Sequence, residues 1–267
     1  MSNRILLITG CQRSGTTLLN LILDSHDAVR AVDESEFDPE KLDVYLTAVK
    51  FGPNVAFKLP RYAHKLDFIR GLPDVTVLWC VRDPRDTVAS MVSLHLPVNS
   101  TVSVAWASHP YGADMEIGNA FKALEPETQK RLYGVYKQCQ QAFSKQPVLR
   151  SREDAVRGAA FCWRVKNELI TNHKREDTNL RLVCYEDLVE KPRQVIGDLL
   201  DSLGLAWDEN VLRHHELHSG LSVGGTVKNR PIDPGNPGKW QRLLNEADLA
   251  IVREIDSELA GTLGYEI

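Results

Sequence analysis

The stretch that most narrows what this chain can fold into lies near its start: Ile5-Leu6-Leu7-Ile8-Thr9-Gly10-Cys11-Gln12-Arg13-Ser14-Gly15-Thr16-Thr17-Leu18-Leu19-Asn20-Leu21-Ile22-Leu23. An apolar run of strand length stops at Gly10, passes through polar and glycine residues, and resumes at Thr16 with apolar positions at helical spacing. That order predicts a strand, a short loop and a helix. Such a loop turns successive backbone N–H groups inward at a helix N-terminus, where the helix dipole favours a bound anion. The plain alternative is an ordinary glycine-rich strand-to-helix turn.

Gly10 and Gly15 are separated by four residues, the spacing of a phosphate-binding P-loop, but Thr16 stands where a lysine would follow the second glycine. The cation sits inside the loop instead, at Arg13, whose guanidinium can fork onto phosphate oxygens. This suits a 5′-phosphoryl group bound without metal better than a magnesium triphosphate. Net charge is −4, so no global field invites nucleic acid and any anion site must be built locally.

Further along, Asn54–Lys58, Val75–Val81 and Leu180–Tyr185 read as strands separated by helical patterns near 127–143, 152–174, 195–203 and 240–263. This alternation predicts an α/β chain of the P-loop type, three layers with a central parallel sheet flanked by helices. Residues 1–267 are expected to form one domain, with an insertion around 94–146 acting as a lid or substrate wall. Ligands of such sheets gather at the carboxyl ends of strands, where Lys58 and Arg82 stand, with Ser90 about two turns into the next helix. The acidic group Asp33-Glu34-Ser35-Glu36 can be a helix-cap cluster or can supply a general base.

Five cysteines show no C-x-x-C spacing and read as reduced thiols. The chain opens almost directly on a strand and holds no apolar run of about 18 residues, so a cytoplasmic protein without a membrane segment is expected. His214, His215 and His218 have no further ligand cluster nearby in sequence, and no metal is expected there. A catalytic Cys11 is the minor alternative for the loop, since anion-binding loops depress thiol pKa values.

Four landmarks in order resemble the sulfotransferases that use 3′-phosphoadenosine 5′-phosphosulfate. Arg13-Ser14-Gly15-Thr16-Thr17 resembles their 5′-phosphosulfate loop, and Arg82-Asp83-Pro84-Arg85-Asp86 through Ser90 their 3′-phosphate motif. Tyr185-Glu186-Asp187-Leu188 with Leu203-Gly204-Leu205-Ala206-Trp207 resembles the fourth-strand region, and Gly238-Lys239-Trp240 the segment that closes over the 3′-phosphate. His26-Asp27-Ala28-Val29-Arg30-Ala31-Val32-Asp33-Glu34 is most similar to the tyrosylprotein branch, where a glutamate soon after the first helix is the base. The resemblance implies that Arg82, Ser90 and Lys239 hold the 3′-phosphate and that Arg13, Ser14, Gly15, Thr16 and Thr17 hold the 5′ end. Tyr185 and Thr226 would lie near the nucleotide. It implies Glu34 as base, with Glu36 the alternative, and Lys58 and Arg13 as the cations facing the leaving oxygen.

Two departures qualify the likeness. Leu59-Pro60 follows the strand-two lysine where cytosolic enzymes carry a histidine base, and Glu36 replaces an arginine that reads acidic peptides in the tyrosylprotein enzymes. The implied acceptor is a hydroxyl on a small molecule, a glycan or a peptide tyrosine. The alternatives are a small-molecule kinase using ATP on the same loop, and a non-catalytic nucleotide-binding module.

Overall fold

The computed structural model describes residues 4–41, 44–45, 47, 54–65, 74–93, 113–144, 151–175, 179–222 and 226–267. The strands are β1 (Ile5–Gly10), β2 (Val29–Val32), β3 (Asn54–Lys58), β4 (Val75–Val81) and β5 (Leu180–Cys184). The helices in chain order are α1 (Thr16–Asp24), α2 (Pro84–Ser93), α3 (Ala113–Lys122), α4 (Pro126–Ser144), α5 (Arg152–Arg175), α6 (Tyr185–Glu190), α7 (Pro192–Ser202), α8 (His214–Leu217), α9 (Trp240–Leu243) and α10 (Glu246–Thr262). Two compact units divide the chain. The first comprises Met1–Gly10, Gly15–Val81 and Asp177–Asn236, the second Cys11–Ser14, Arg82–Glu176 and Pro237–Ile267.

The first unit holds a five-stranded sheet in the order β2-β3-β1-β4-β5, and every pairing in it is parallel. The α/β fold with a parallel sheet is thus as the alternating sequence predicts. Its central strands are apolar on both faces, as a doubly covered parallel sheet requires. Leu6 and Ile8 of β1, Ala56 of β3 and Leu78 and Cys80 of β4 pack with Leu19, Ile22 and Leu23 of α1 and with Ile196, Leu199 and Leu200 of α7. Side chains of the opposite parity, Leu7, Phe57, Val77 and Trp79, are equally buried.

Sequence periodicity points to four strands, and β2 is the addition. It is four residues long, pairs only with β3 and leaves Arg30 exposed, so it carries no apolar run to announce it. It is anchored at its start by His26. Nδ1 of that ring accepts the Ala28 N–H (3.0 Å) and Nε2–H donates to the Ala206 carbonyl (2.8 Å).

The second unit is helical and built around α5, against which α2, α3, α4 and α10 pack. Arg152 at the start of α5 forks onto Asp248 of α10 at 2.8–3.1 Å. The closing helix differs from expectation. It is broken after Leu243, because Asn245 and Asp248 form a reciprocal capping box that starts α10 afresh. Of the expected insertion, residues 94–112 and 145–146 lie outside the described residues, and the remainder is α3 and α4.

Candidate active site

Both ends of the loop demand glycine for steric reasons. Gly10 has φ +128° and a Cβ there would lie 2.4 Å from the Cys80 carbonyl oxygen; Gly15 has φ +91° and a Cβ there would lie 2.4 Å from Tyr185 Cδ2. Gly15 is also the N-cap of α1, which has no side-chain cap and no acid in its first turn. The N-terminal N–H groups of α1, at Thr16 and Thr17, therefore meet no side-chain acceptor from the cap, an arrangement that favours an anion.

The loop tip, Cys11–Ser14, belongs to the second unit, and Arg13 there adopts φ +69°, a left-handed conformation that costs a non-glycine residue about 1 kcal/mol. Two contacts fix it. Arg82 Nη1 donates to the Arg13 carbonyl (3.0 Å), and Arg13 Nε donates to Ser90 Oγ (3.0 Å). Three of the residues singled out from sequence, Arg13, Arg82 and Ser90, are thus brought together. Ser14 Oγ, in a residue 1% exposed, is buried without a hydrogen-bond partner.

Lys239 is held by its neighbours. Asp86, in the first turn of α2, accepts the N–H groups of Gly238 (2.6 Å) and Trp240 (3.0 Å). Arg85 lies over the Trp240 ring, 4.4 Å from its centroid, and is tied to Asp83 through two guanidinium nitrogens. The sequence allows a simple ion pair of Arg82 with Asp83 or Asp86. In the structure Asp83 goes to Arg85, and the Asp86 carboxylate comes within 3.8 Å of Arg82 while serving the backbone of the C-terminal segment.

In the first unit, Lys58 ends β3 with its side chain wholly enclosed. Its ammonium donates to Asp33 Oδ2 at 2.7 Å and stands 4.0 Å from Glu34 Oε1. Arg61, half exposed, approaches Glu34 Oε2 at 3.8 Å. Glu36 points elsewhere: it is exposed, and its backbone closes a turn with Asp33 and accepts the Tyr45 hydroxyl. Burial alone would raise the Asp33 carboxyl, but the hydrogen bond and charge of Lys58, with help from Ser35, bring it below the usual carboxylate value.

Tyr185 opens α6, its ring against Gly15 and its hydroxyl bonded by the side-chain amide of Asn236. The Thr226 carbonyl accepts the Ser222 N–H beside an antiparallel bridge between Leu221 and Val227. Sequence reasoning missed Asp33 as the short partner of Lys58 and Asp86 as the anchor of the C-terminal segment. The signal for Asp86 was available in its place in the first turn of a proline-started helix, while nothing local in sequence pairs residue 33 with residue 58.

Residues 6–54 match the model described as "Sulfotransferase family". Solved structures agree. A sulfotransferase domain from the curacin biosynthetic pathway superposes with TM-score 0.60 at 15% identity, covering 100% of this chain and 99% of that one. The match to the family is thus carried by residues 6–54, and the fold of the chain is one that solved sulfotransferases share. Its fold is also that of the sulfotransferase domain of the Synechococcus PCC 7002 olefin synthase, with TM-score 0.59, 17% identity and coverage of 100% and 97%. A mouse sulfotransferase complexed with PAP is similar at TM-score 0.51 and 16% identity, covering 98% of this chain and 85% of that one. Among the described residues, no group of three or more His, Cys, Asp or Glu could hold a metal ion. None of the described helices is long and apolar enough to cross a membrane.

Proposed function

We propose that the protein is a sulfotransferase that moves a sulfuryl group from 3′-phosphoadenosine 5′-phosphosulfate to an acceptor hydroxyl by in-line displacement. The observation that carries the reading is the enclosed Lys58 ammonium with Asp33 and Glu34 beside it. The donor fits the residues present: the loop offers a buried serine hydroxyl without a partner and the arginine cluster offers fixed positive charge. Arg82, Ser90 and Lys239 hold the 3′-phosphate; Arg13, Ser14, Gly15, Thr16 and Thr17 hold the 5′ end. Tyr185 and Thr226 flank the nucleotide.

The acceptor oxygen forms a bond to sulfur as the bond from sulfur to the bridging oxygen breaks. Glu34 takes the acceptor's proton, and Lys58 with Arg13 meets the charge that grows on the departing phosphate oxygen. Asp33, held below its usual range, is a weak base and serves to keep the Lys58 ammonium in place. Acceptors in scope are small molecules, glycans and peptide tyrosines. Five cysteines without C-x-x-C spacing fit a reducing, cytoplasmic setting.

An acceptor screen with labelled donor, run in the presence of EDTA, tests the reading. Turnover onto a hydroxyl that persists in chelator is the expected result. Phosphoryl transfer from ATP that requires magnesium would replace it with the kinase reading. Tight binding of 3′-phosphoadenosine 5′-phosphate with no transfer to any acceptor would favour a binding module.

A further inference from the structure

One buried cation takes no part in this scheme. Lys166, on α5, is 0% exposed, and its ammonium donates to Gln12 Oε1 at 2.6 Å. Cys162, one turn earlier on the same helix, points its thiol at the same oxygen from 3.8 Å. Enclosing an ammonium is costly, and a helix that served packing alone would place an apolar residue there, as α5 does at Trp163, Val165, Leu169 and Ile170. Gln12 is the loop residue next to Arg13. The loop tip is therefore gripped twice from the second unit, by Arg82 at the Arg13 carbonyl and by Lys166 at the Gln12 side chain. Between these grips and Gly15 lies Ser14, whose buried hydroxyl has no hydrogen-bond partner.

We propose that Lys166 is a positioning residue for the 5′ end of the donor. By fixing Gln12 it keeps Cys11–Ser14 in the shape that presents Ser14 and the loop backbone to a phosphosulfate-type anion, and it adds fixed positive charge behind the loop. This rests on the donor reading above. Its signature is selectivity: loss of Lys166 weakens ligands that carry a 5′ anion and spares those that carry only a 3′-phosphate.

Calorimetry with two probes reads this directly, 3′-phosphoadenosine 5′-phosphate and adenosine 3′-phosphate, which lacks the 5′ group. Lys166→Met is expected to weaken the first about tenfold or more and to leave the second unchanged, since a hydrogen bond to a charged group is at stake. Lys166→Arg should restore much of the loss. Gln12→Ala should show the same selective loss, and should add little when combined with Lys166→Met. Equal loss for both probes, or no loss for either, overturns the proposal. Should Lys166→Met not fold, Gln12→Ala alone carries the same comparison. If the unaltered protein binds both probes equally well, the loop contributes nothing and this inference falls while the 3′-phosphate pocket stands. If it binds neither, the donor reading itself falls and takes this inference with it.

Discussion

Lys58 and Lys166 are both fully buried ammonium groups on regular elements, yet the hydrogen bonds described for them go to different kinds of acceptor. Lys58 has one carboxylate at 2.7 Å and a second at 4.0 Å, whereas Lys166 grips the neutral amide of Gln12 at 2.6 Å. The carboxylates beside Lys58 offset its charge, and on the proposed mechanism it donates a hydrogen bond to an oxygen as that oxygen becomes charged. The bond from Lys166 to Gln12 cancels no charge and fixes a shape. On the proposed mechanism one lysine serves bond breaking and the other holds a loop.

The largest effect is expected at Glu34. Glu34→Gln keeps size and hydrogen bonding but cannot take the acceptor's proton, so kcat should fall roughly 10²–10⁴-fold while affinity for 3′-phosphoadenosine 5′-phosphate barely changes. Asp33 occupies the short bond to Lys58, which leaves Glu34 Oε1 outside hydrogen-bond reach of that ammonium. Glu36→Gln is the control, because Glu36 is exposed. Turnover lost in Glu36→Gln and kept in Glu34→Gln would move the base by two residues.

Next in size is the lysine contrast itself. Lys58→Met should lower kcat roughly 10²–10³-fold, the range for removing one donor from a developing oxyanion, with nucleotide binding intact. Lys166→Met should do the reverse, costing binding while turnover at saturating donor changes less. Stopped assays at several donor concentrations separate the two. Matching KM and kcat profiles for both variants would mean that the two lysines serve one role.

Arg82→Ala should weaken 3′-phosphoadenosine 5′-phosphate by about 1.5–3 kcal/mol, the range for hydrogen bonds to charged groups. Arg82 also supports the Arg13 carbonyl, so its loss should be larger than that of Ser90→Ala, which removes a single contact to Arg13 Nε. An unchanged affinity by calorimetry in Arg82→Ala would remove it from the anion site.

The frame and the loop were legible because their signals are local. β1, the two glycines and most of α1 read in one stretch of 19 residues, from Ile5 to Leu23, and β4 is apolar but for Thr76. β2 was not, since a four-residue edge strand with an exposed arginine has no periodicity to detect. The break before α10 was marked only by Asn245 with Asp248 three residues later, a cap that a helical pattern on either side conceals. The pairing of Asp33 with Lys58 and of Gln12 with Lys166 depends on chain segments 25 and 154 residues apart, and no local pattern encodes it. The residue types at the site could be read; which carboxylate faces which cation could not.

The smallest effects concern two buried titratable groups outside the site, and they carry opposite signs. His214, in the first unit, is pushed down to about 4 by burial, partly offset by its bond to the Arg230 carbonyl. The unfolded chain then binds the proton more readily, so the stability that His214 contributes is complete above pH about 6.5 and is lost as pH falls toward 4. Asp256, in the second unit, is raised well above its usual value by burial, with Arg164 opposing; both its oxygens are buried without hydrogen-bond partners. Here the folded chain holds the proton more tightly, so stability falls as pH rises from about 4 toward the folded value. Asp256→Asn removes that loss and should raise Tm at pH 8 by about 2–4 °C for each 1 kcal/mol recovered, with little change at pH 4.5. His214→Gln should instead flatten the acid side between pH 6.5 and 4. Urea denaturation of each variant against the parent at pH 8, 6 and 4.5 isolates the two groups from the rest of the titration. A gain for Asp256→Asn that is the same at every pH would mean that the folded and unfolded chains hold this proton equally across the range, and the slope assigned to the carboxyl would belong to other residues.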